Sequence, residues 1–266
     1  MMQGHFPLIS AHLSAAWGRR LFWLGFYAAI LLGWALLMWM TASPLPGVTA
    51  AEYWAALCIS AVSADPFALF AMWGLMSAAM MLPTFVPAVR VFGELGSVRA
   101  TNGASMAALV LGYSAVWLVF SALAAALQLG LAKAGAMVGA SQTLSPWISV
   151  GFLATAGAYQ FSSAKEACLS KCRHPLTFFM EHWAPGLKPA FTMGARLGVW
   201  CVGCCWLLML LGLIGGAMNL MWMGAATVLM VLEKLPEVGR YVTKPLGAAL
   251  FIGAAVQVAT VFSSGG

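Results

Sequence analysis

Met193-Gly194-Ala195-Arg196-Leu197-Gly198-Val199-Trp200-Cys201-Val202-Gly203-Cys204-Cys205-Trp206-Leu207-Leu208-Met209-Leu210-Leu211-Gly212-Leu213-Ile214-Gly215-Gly216-Ala217 contains a single charged residue, Arg196. The stretch exceeds the roughly 20 apolar residues that carry a helix across a bilayer. Six more runs of similar character lie at residues 21–40, 67–89, 104–131, 146–162, 219–232 and 245–262, with 146–162 and 219–232 the short ones. The expected fold class is therefore all-α, a polytopic membrane helix bundle of about seven transmembrane helices in the lipid bilayer.

Composition supports that class. Apolar residues make up 62% and charged residues 8% of the chain, with a mean hydropathy of +0.91, too few polar groups to solvate a soluble globule of this size. Twelve Trp and 17 Met suit a bilayer, since Trp favours the membrane–water interface and Met packs adaptably among helices. The net charge of +6 is not a nucleic-acid footprint, because the basic residues stand singly between apolar segments.

Those cations report topology instead. Arg19 and Arg20 precede the first span, and Arg90 and Arg99 follow the second. Lys165, Lys171, Arg173 and Lys188 separate the fourth from the fifth, Arg196 sits where the fifth begins, and Lys234, Arg240 and Lys244 separate the sixth from the seventh. Threading seven spans puts all of these on one side and only Lys133 on the other. The positive-inside rule then places the N-terminus in the cytoplasm and the C-terminus outside.

Gly18-Arg19-Arg20-Leu21-Phe22 is similar to a twin-arginine export signal, but the run behind it is a full span without a small-x-small cleavage site, so an uncleaved anchor is expected. Within the external segment 43–66, residues 53–62 are too short to span and are expected to lie as an interfacial helix, with Cys58 a buried small hydrophobe. No solenoid repeat or separable soluble domain is evident. One integral membrane domain, 1–266, is expected, with 1–66 forming an anchor helix plus the external segment.

Five of the six cysteines fall in two groups, Cys168 with Cys172 and Cys201 with Cys204 and Cys205. C-x-x-x-C spacing puts the first pair one turn apart on one face, if the fourth helix runs on into the cytoplasm. The other three share an arc of the fifth span, roughly 12 Å in from Met193 at 1.5 Å per residue. If the groups face each other, their thiolates suit a soft ion, copper as Cu(I) first and zinc second. Lys171 and Arg173 flank Cys172 and would favour its thiolate, while His174 could add a nitrogen ligand. Structural disulfides are not expected for thiols facing a reducing compartment.

Met72, Met76 and Met80 form a thioether stripe on the second span, a weaker candidate for Cu(I), which thioethers select. Pro83 and Pro87 are expected to kink or end that helix and free carbonyls near a cavity. Glu233, beside Lys234, reads as an interfacial pair or, less readily, a ligand. No chain of acids crosses the bilayer, which argues against a proton-driven transporter.

The chain carries a succession of blocks: Ala79-Met80-Met81-Leu82-Pro83; Gly112-Tyr113-Ser114-Ala115-Val116-Trp117; Ala156-Gly157-Ala158-Tyr159-Gln160 followed by Lys165; and Cys168-Leu169-Ser170-Lys171-Cys172-Arg173-His174-Pro175. Gly198-Val199-Trp200-Cys201-Val202-Gly203-Cys204-Cys205-Trp206, Leu208-Met209, Gly216-Ala217-Met218-Asn219-Leu220 and Glu233-Lys234 follow. In these it resembles a bacterial family of metal-binding integral membrane proteins of unknown function, some labelled copper chaperones. The resemblance covers about 67–266; a Gly-His pair expected near Gly198-Val199 is missing. It implies a non-enzymatic protein of the bacterial inner membrane that handles copper for a metal-receiving partner. Two other classes are compatible with the residues: an accessory subunit of a larger membrane complex, and a membrane thiol-redox protein.

Overall fold

A computed structural model describes residues 6–42, 65–99, 102–138, 143–215 and 220–264. Cys58 and the expected interfacial helix at 53–62 lie outside the described residues. Nine helices carry the described chain: α1 Phe6–Ala42, α2 Pro66–Arg99, α3 Gly103–Lys133, α4 Pro146–Gln160, α5 Ser163–Arg173, α6 Pro175–His182, α7 Leu187–Leu210, α8 Leu220–Lys234 and α9 Gly239–Ser264. A single turn at Gly212–Gly215 and a two-residue antiparallel ladder, β1 Met137–Val138 with β2 Thr143–Leu144, complete them.

Five helices hold stretches long and apolar enough to cross a membrane: Trp17–Trp39, Pro66–Leu95, Gly103–Lys133, Leu187–Ile214 and Gly239–Ser263. The two short runs of the sequence form α4 and α8, each of 15 residues. At 1.5 Å per residue that is about 22 Å, less than the about 30 Å of hydrocarbon.

Side-chain partners fix the helix directions. Gly33 packs on Ala79 while Arg90 reaches Tyr27, so α1 and α2 are antiparallel. Trp73 donates to Gln128 at 2.7 Å, Ser77 meets Ser121 at 3.0 Å and Phe85 stacks on Tyr113, so α2 and α3 are antiparallel as well. Leu109 lies against Gly194, and Tyr113 and Val116 against Gly198, which makes α3 and α7 parallel. A parallel pair needs a return segment between its members, and α4 supplies it. Trp147 contacts Phe262 and Gly157 abuts Gly247, so α4 runs antiparallel to α9.

Local chemistry sets the breaks. Asn102 accepts the Ser105 amide at 2.9 Å to open α3, and Pro146 and Pro175 sit in the first turns of α4 and α6, where a missing N–H costs nothing. The fourth helix does not run on to the cysteines as expected. Phe161 closes α4, and Ser162, whose Oγ accepts the Lys165 amide at 3.1 Å, starts α5 as a separate helix. Gly186, at φ +112°, makes the corner into α7 that a residue with a side chain would resist.

Pro83 and Pro87 do not end α2, which continues through both to Arg99. The amide missing at Pro83 leaves the Ala79 carbonyl without its helical donor, and the Trp34 indole N–H takes it at 2.9 Å. A neighbouring helix thus satisfies the freed group, as a carbonyl buried away from water requires.

Candidate metal centre

Cys201, Cys204 and Cys205 occupy one arc of α7 and are fully buried, with their three sulfurs within 4.8 Å of one another. Cys204 and Cys205 Sγ are 3.2 Å apart, and the Cys204 thiol donates to the Cys201 carbonyl at 3.1 Å. From α5, Cys172 borders the same small cavity as Cys201, beside but outside the three-sulfur group. Interaction with Cys201, and behind it burial, pushes the Cys172 thiol well above its ordinary value. Cys168 lies one turn back over Gly203, where an added Cβ would stand 2.6 Å from its sulfur, and burial raises its thiol too. The two cysteine groups therefore face each other across the α5–α7 contact. Cys168 and Cys172 remain half-buried at the rim.

Two polar groups reach Cys201 from other helices. The Lys234 ammonium, at the end of α8, donates to Cys201 Sγ at 2.9 Å and to Thr84 Oγ1 at 2.7 Å. Tyr113 Oη lies 3.0 Å from Cys201 Sγ and donates to the Met81 carbonyl at 3.2 Å, its ring stacked on Phe85 with centroids 3.9 Å apart. A cavity of about 20 Å³, room for a single water, is bordered by Thr84, Tyr113, Cys172, Cys201 and Lys234.

The cation beside the thiols is thus Lys234, not the sequence neighbours of Cys172. Adjacent helical residues point about 100° apart, and each neighbour is committed elsewhere. Lys171 pairs with Glu181 at 3.8 Å on the surface, while buried Arg173 bonds Glu166 and the Glu233 carbonyl at 2.9 Å each and Thr243 at 3.3 Å. Glu233 does not pair with Lys234 and does not join the sulfur group. Both its oxygens accept from Lys165 Nζ at 2.9 Å, in a pair that is 1% exposed on either side and that Gln160 completes. The 233–234 step therefore sends its two charges apart, the carboxylate to α5 and the ammonium to α7.

His174 is solvent-exposed at the junction of α5 and α6 and falls outside the three-sulfur group. Met72, Met76 and Met80 are core residues of α2, and Met76 reaches toward Gly212, seven residues past Cys205, rather than to the sulfurs. The methionine tied to the site is Met81. Its carbonyl accepts Thr84 and Tyr113, and its sulfur lies 4.0 Å from Thr84 Oγ1. Tyr113, Thr84, Lys165 and Lys234 went unremarked as site residues in the sequence. The available signal was an ammonium and a hydroxyl inside or beside apolar runs, where polar groups require partners.

The donors are sulfur, buried among the helices, which fits a soft monovalent or d¹⁰ ion far better than a hard cation needing oxygen ligands. Membrane-length helices enclosing such a thiol group define the class: a helical protein with a buried three-cysteine group that could hold a metal ion. More narrowly, a family model described as copper chaperone matches residues 70–257, and the chain belongs to that family, PpoB2. The match takes in α5 and α7 with all five clustered cysteines. No curated protein and no solved structure matches the chain.

Proposed function

We propose that this protein is a multi-pass component of the bacterial inner membrane that binds Cu(I) through Cys201, Cys204 and Cys205, with Cys172 as the exchanging ligand, and passes it to a partner. The observation that carries the reading is the meeting of Cys172 with Cys201 at one small cavity from two separate helices. The alternating helix directions favour seven crossings, with α4 and α8 completing a path that the five long helices leave unclosed. Basic residues at the α5 end of the bundle favour the cytoplasm for that end.

Thiolate ligands leave a Cu(I) complex with net negative charge, which the low-dielectric surroundings penalise and the Lys234 ammonium offsets. Tyr113 and Thr84 fix that ammonium and the Cys201 sulfur in place. Cys168 and Cys172, half-buried on a short helix, form a rim from which an ion moves inward by exchanging one thiol at a time. Deep burial of the inner three shields them from water and oxidants.

Copper content after anaerobic purification tests the reading. Wild type is expected to retain copper that Cys204→Ser with Cys205→Ser loses, while the folded fraction of the two stays equal. Negligible copper in both proteins, after loading with Cu(I), would overturn it.

A further inference from the structure

α1 packs on the bundle through Phe26 and Leu37 and approaches it most closely at two glycines. Gly18 abuts Gly103, where an added Cβ would be 2.5 Å from the Gly18 carbonyl, and Gly33 abuts Ala79 at 3.5 Å. Beside the Gly18 contact a cleft of about 990 Å³ opens, edged by Arg19, Arg20, Trp23, Tyr27, Arg90 and Glu94. Three guanidiniums against one carboxylate leave a balance of +2 (three minus one) in this cleft. Helix lining of this kind is not needed for the copper reading, and nothing in the thiol site involves it.

We propose that the cleft binds the phosphate headgroup of an anionic phospholipid, with the acyl chains lying along α1. Three observations carry this. The arginines come from opposite walls, Arg19 and Arg20 from α1 and Arg90 from α2, so a phosphate between them would be gripped from both sides by forked donors. Arg90 is already held across the cleft, donating to Tyr27 Oη at 3.1 Å, and the Tyr27 ring stacks on Trp23 at 5.5 Å. Leu21, Leu24 and Leu31 are exposed on α1 beside and beyond the cleft, a surface for hydrocarbon rather than water. Basic pockets between helices at the membrane boundary suit anionic headgroups for these reasons. A free phosphate shares the charge chemistry but would leave the leucines without a partner.

The inference rests on the membrane reading and is independent of copper. Full-length protein in nanodiscs is compared for lipids retained on native mass spectrometry, with phosphatidylglycerol or cardiolipin against phosphatidylcholine, and with inorganic phosphate as competitor. Two net charges near the surface predict about 30-fold preference for the anionic lipids. Arg19→Gln with Arg90→Gln is expected to remove most of it. Arg19→Lys, Arg20→Lys and Arg90→Lys together keep the charge and the topology but lose the forked geometry, and are expected to reduce retention severalfold with an unchanged thermal midpoint. Equal retention of phosphatidylcholine by wild type, full retention by the lysine variant, or displacement of the lipid by inorganic phosphate would each overturn the proposal.

Discussion

Alanine at Gly194 is expected to cost the protein more stability than any other single methyl group added to α7. An added Cβ would stand 1.9 Å from the Leu109 carbonyl oxygen and 2.8 Å from its carbon, and Cβ atoms do not come within 3.0 Å of other atoms. The obstacle is backbone, so no rotamer change relieves it. α3 and α7 would have to separate by about 1.1 Å (3.0 minus 1.9) or slide. The same seam is tight elsewhere. Gly112 would place a Cβ 2.0 Å from the Phe191 carbonyl, and Gly198 one 3.0 Å from Val116. Gly194 and Gly198 form the small-xxx-small spacing by which helices approach in lipid, where no hydrophobic drive joins them and close packing must do so.

Inserting a methyl group in a packed core costs about 1–3 kcal/mol, and a backbone obstacle belongs at the top of that range or above it. The site would suffer too, since Tyr113 on α3 and Cys201 on α7 meet across this seam at 3.0 Å. The thermal midpoint of Gly194→Ala in detergent is therefore expected to fall far below wild type, with copper retention falling alongside it. Gly130→Ala, in the same α3 but with nothing within 4 Å of the added Cβ, is expected to leave the midpoint unchanged or slightly raised by improved helix propensity. Equal midpoints for the two variants would contradict the packing described for α3 and α7.

Glu233→Gln carries the second large effect. Glu233 and Lys165 are each 1% exposed, and the substitution leaves the Lys165 ammonium buried without a carboxylate. Removing one partner of a buried ion pair costs about 3–5 kcal/mol, because the remaining charge has lost its compensation. Replacing both, as Lys165→Met with Glu233→Leu, should recover much of the loss, since no uncompensated charge is left behind. Denaturant or thermal unfolding of the single and double variants reads this directly. A double variant as unstable as the single would show that the cost lies in lost packing instead.

The pair also has a positional consequence. Lys165 anchors Glu233 to α5, and the next residue, Lys234, is thereby aimed at Cys201 on α7. Loosening the anchor is expected to weaken copper retention even at temperatures where the variant stays folded.

Much of the bundle was legible because its signal is local. Long apolar runs mark α1, α2, α3, α7 and α9. The break between α4 and α5 was not legible, because the polar segment 163–173 is compatible with a helix that simply runs on, and the stop comes from Phe161 and the Ser162 cap. The fate of Pro83 was hidden for a different reason. Its effect depended on Trp34, 45 residues from Ala79 in the chain, accepting the role of donor to the freed carbonyl.

The site divides in the same way. Crowding of cysteines identified the five thiols, and helical spacing put Cys201, Cys204 and Cys205 on one arc. Sequence adjacency suggested Lys171 and Arg173 as the cations and paired Glu233 with Lys234, whereas helical geometry turns neighbours away from each other and pairs Lys165 with Glu233 across 68 positions. Met72, Met76 and Met80 showed the right periodicity for a ligand stripe, but periodicity is also what a buried core face shows, and that is where the structure puts them.

The central claim is that sulfur from α5 and α7 holds the metal. X-ray absorption on the reduced, copper-loaded protein tests it most directly. The account predicts Cu(I) with a shell of sulfur alone, weakened in Cys172→Ser and abolished when Cys201, Cys204 and Cys205 are all serine. A shell of nitrogen or oxygen, or a spectrum unchanged in the triple variant, would contradict it.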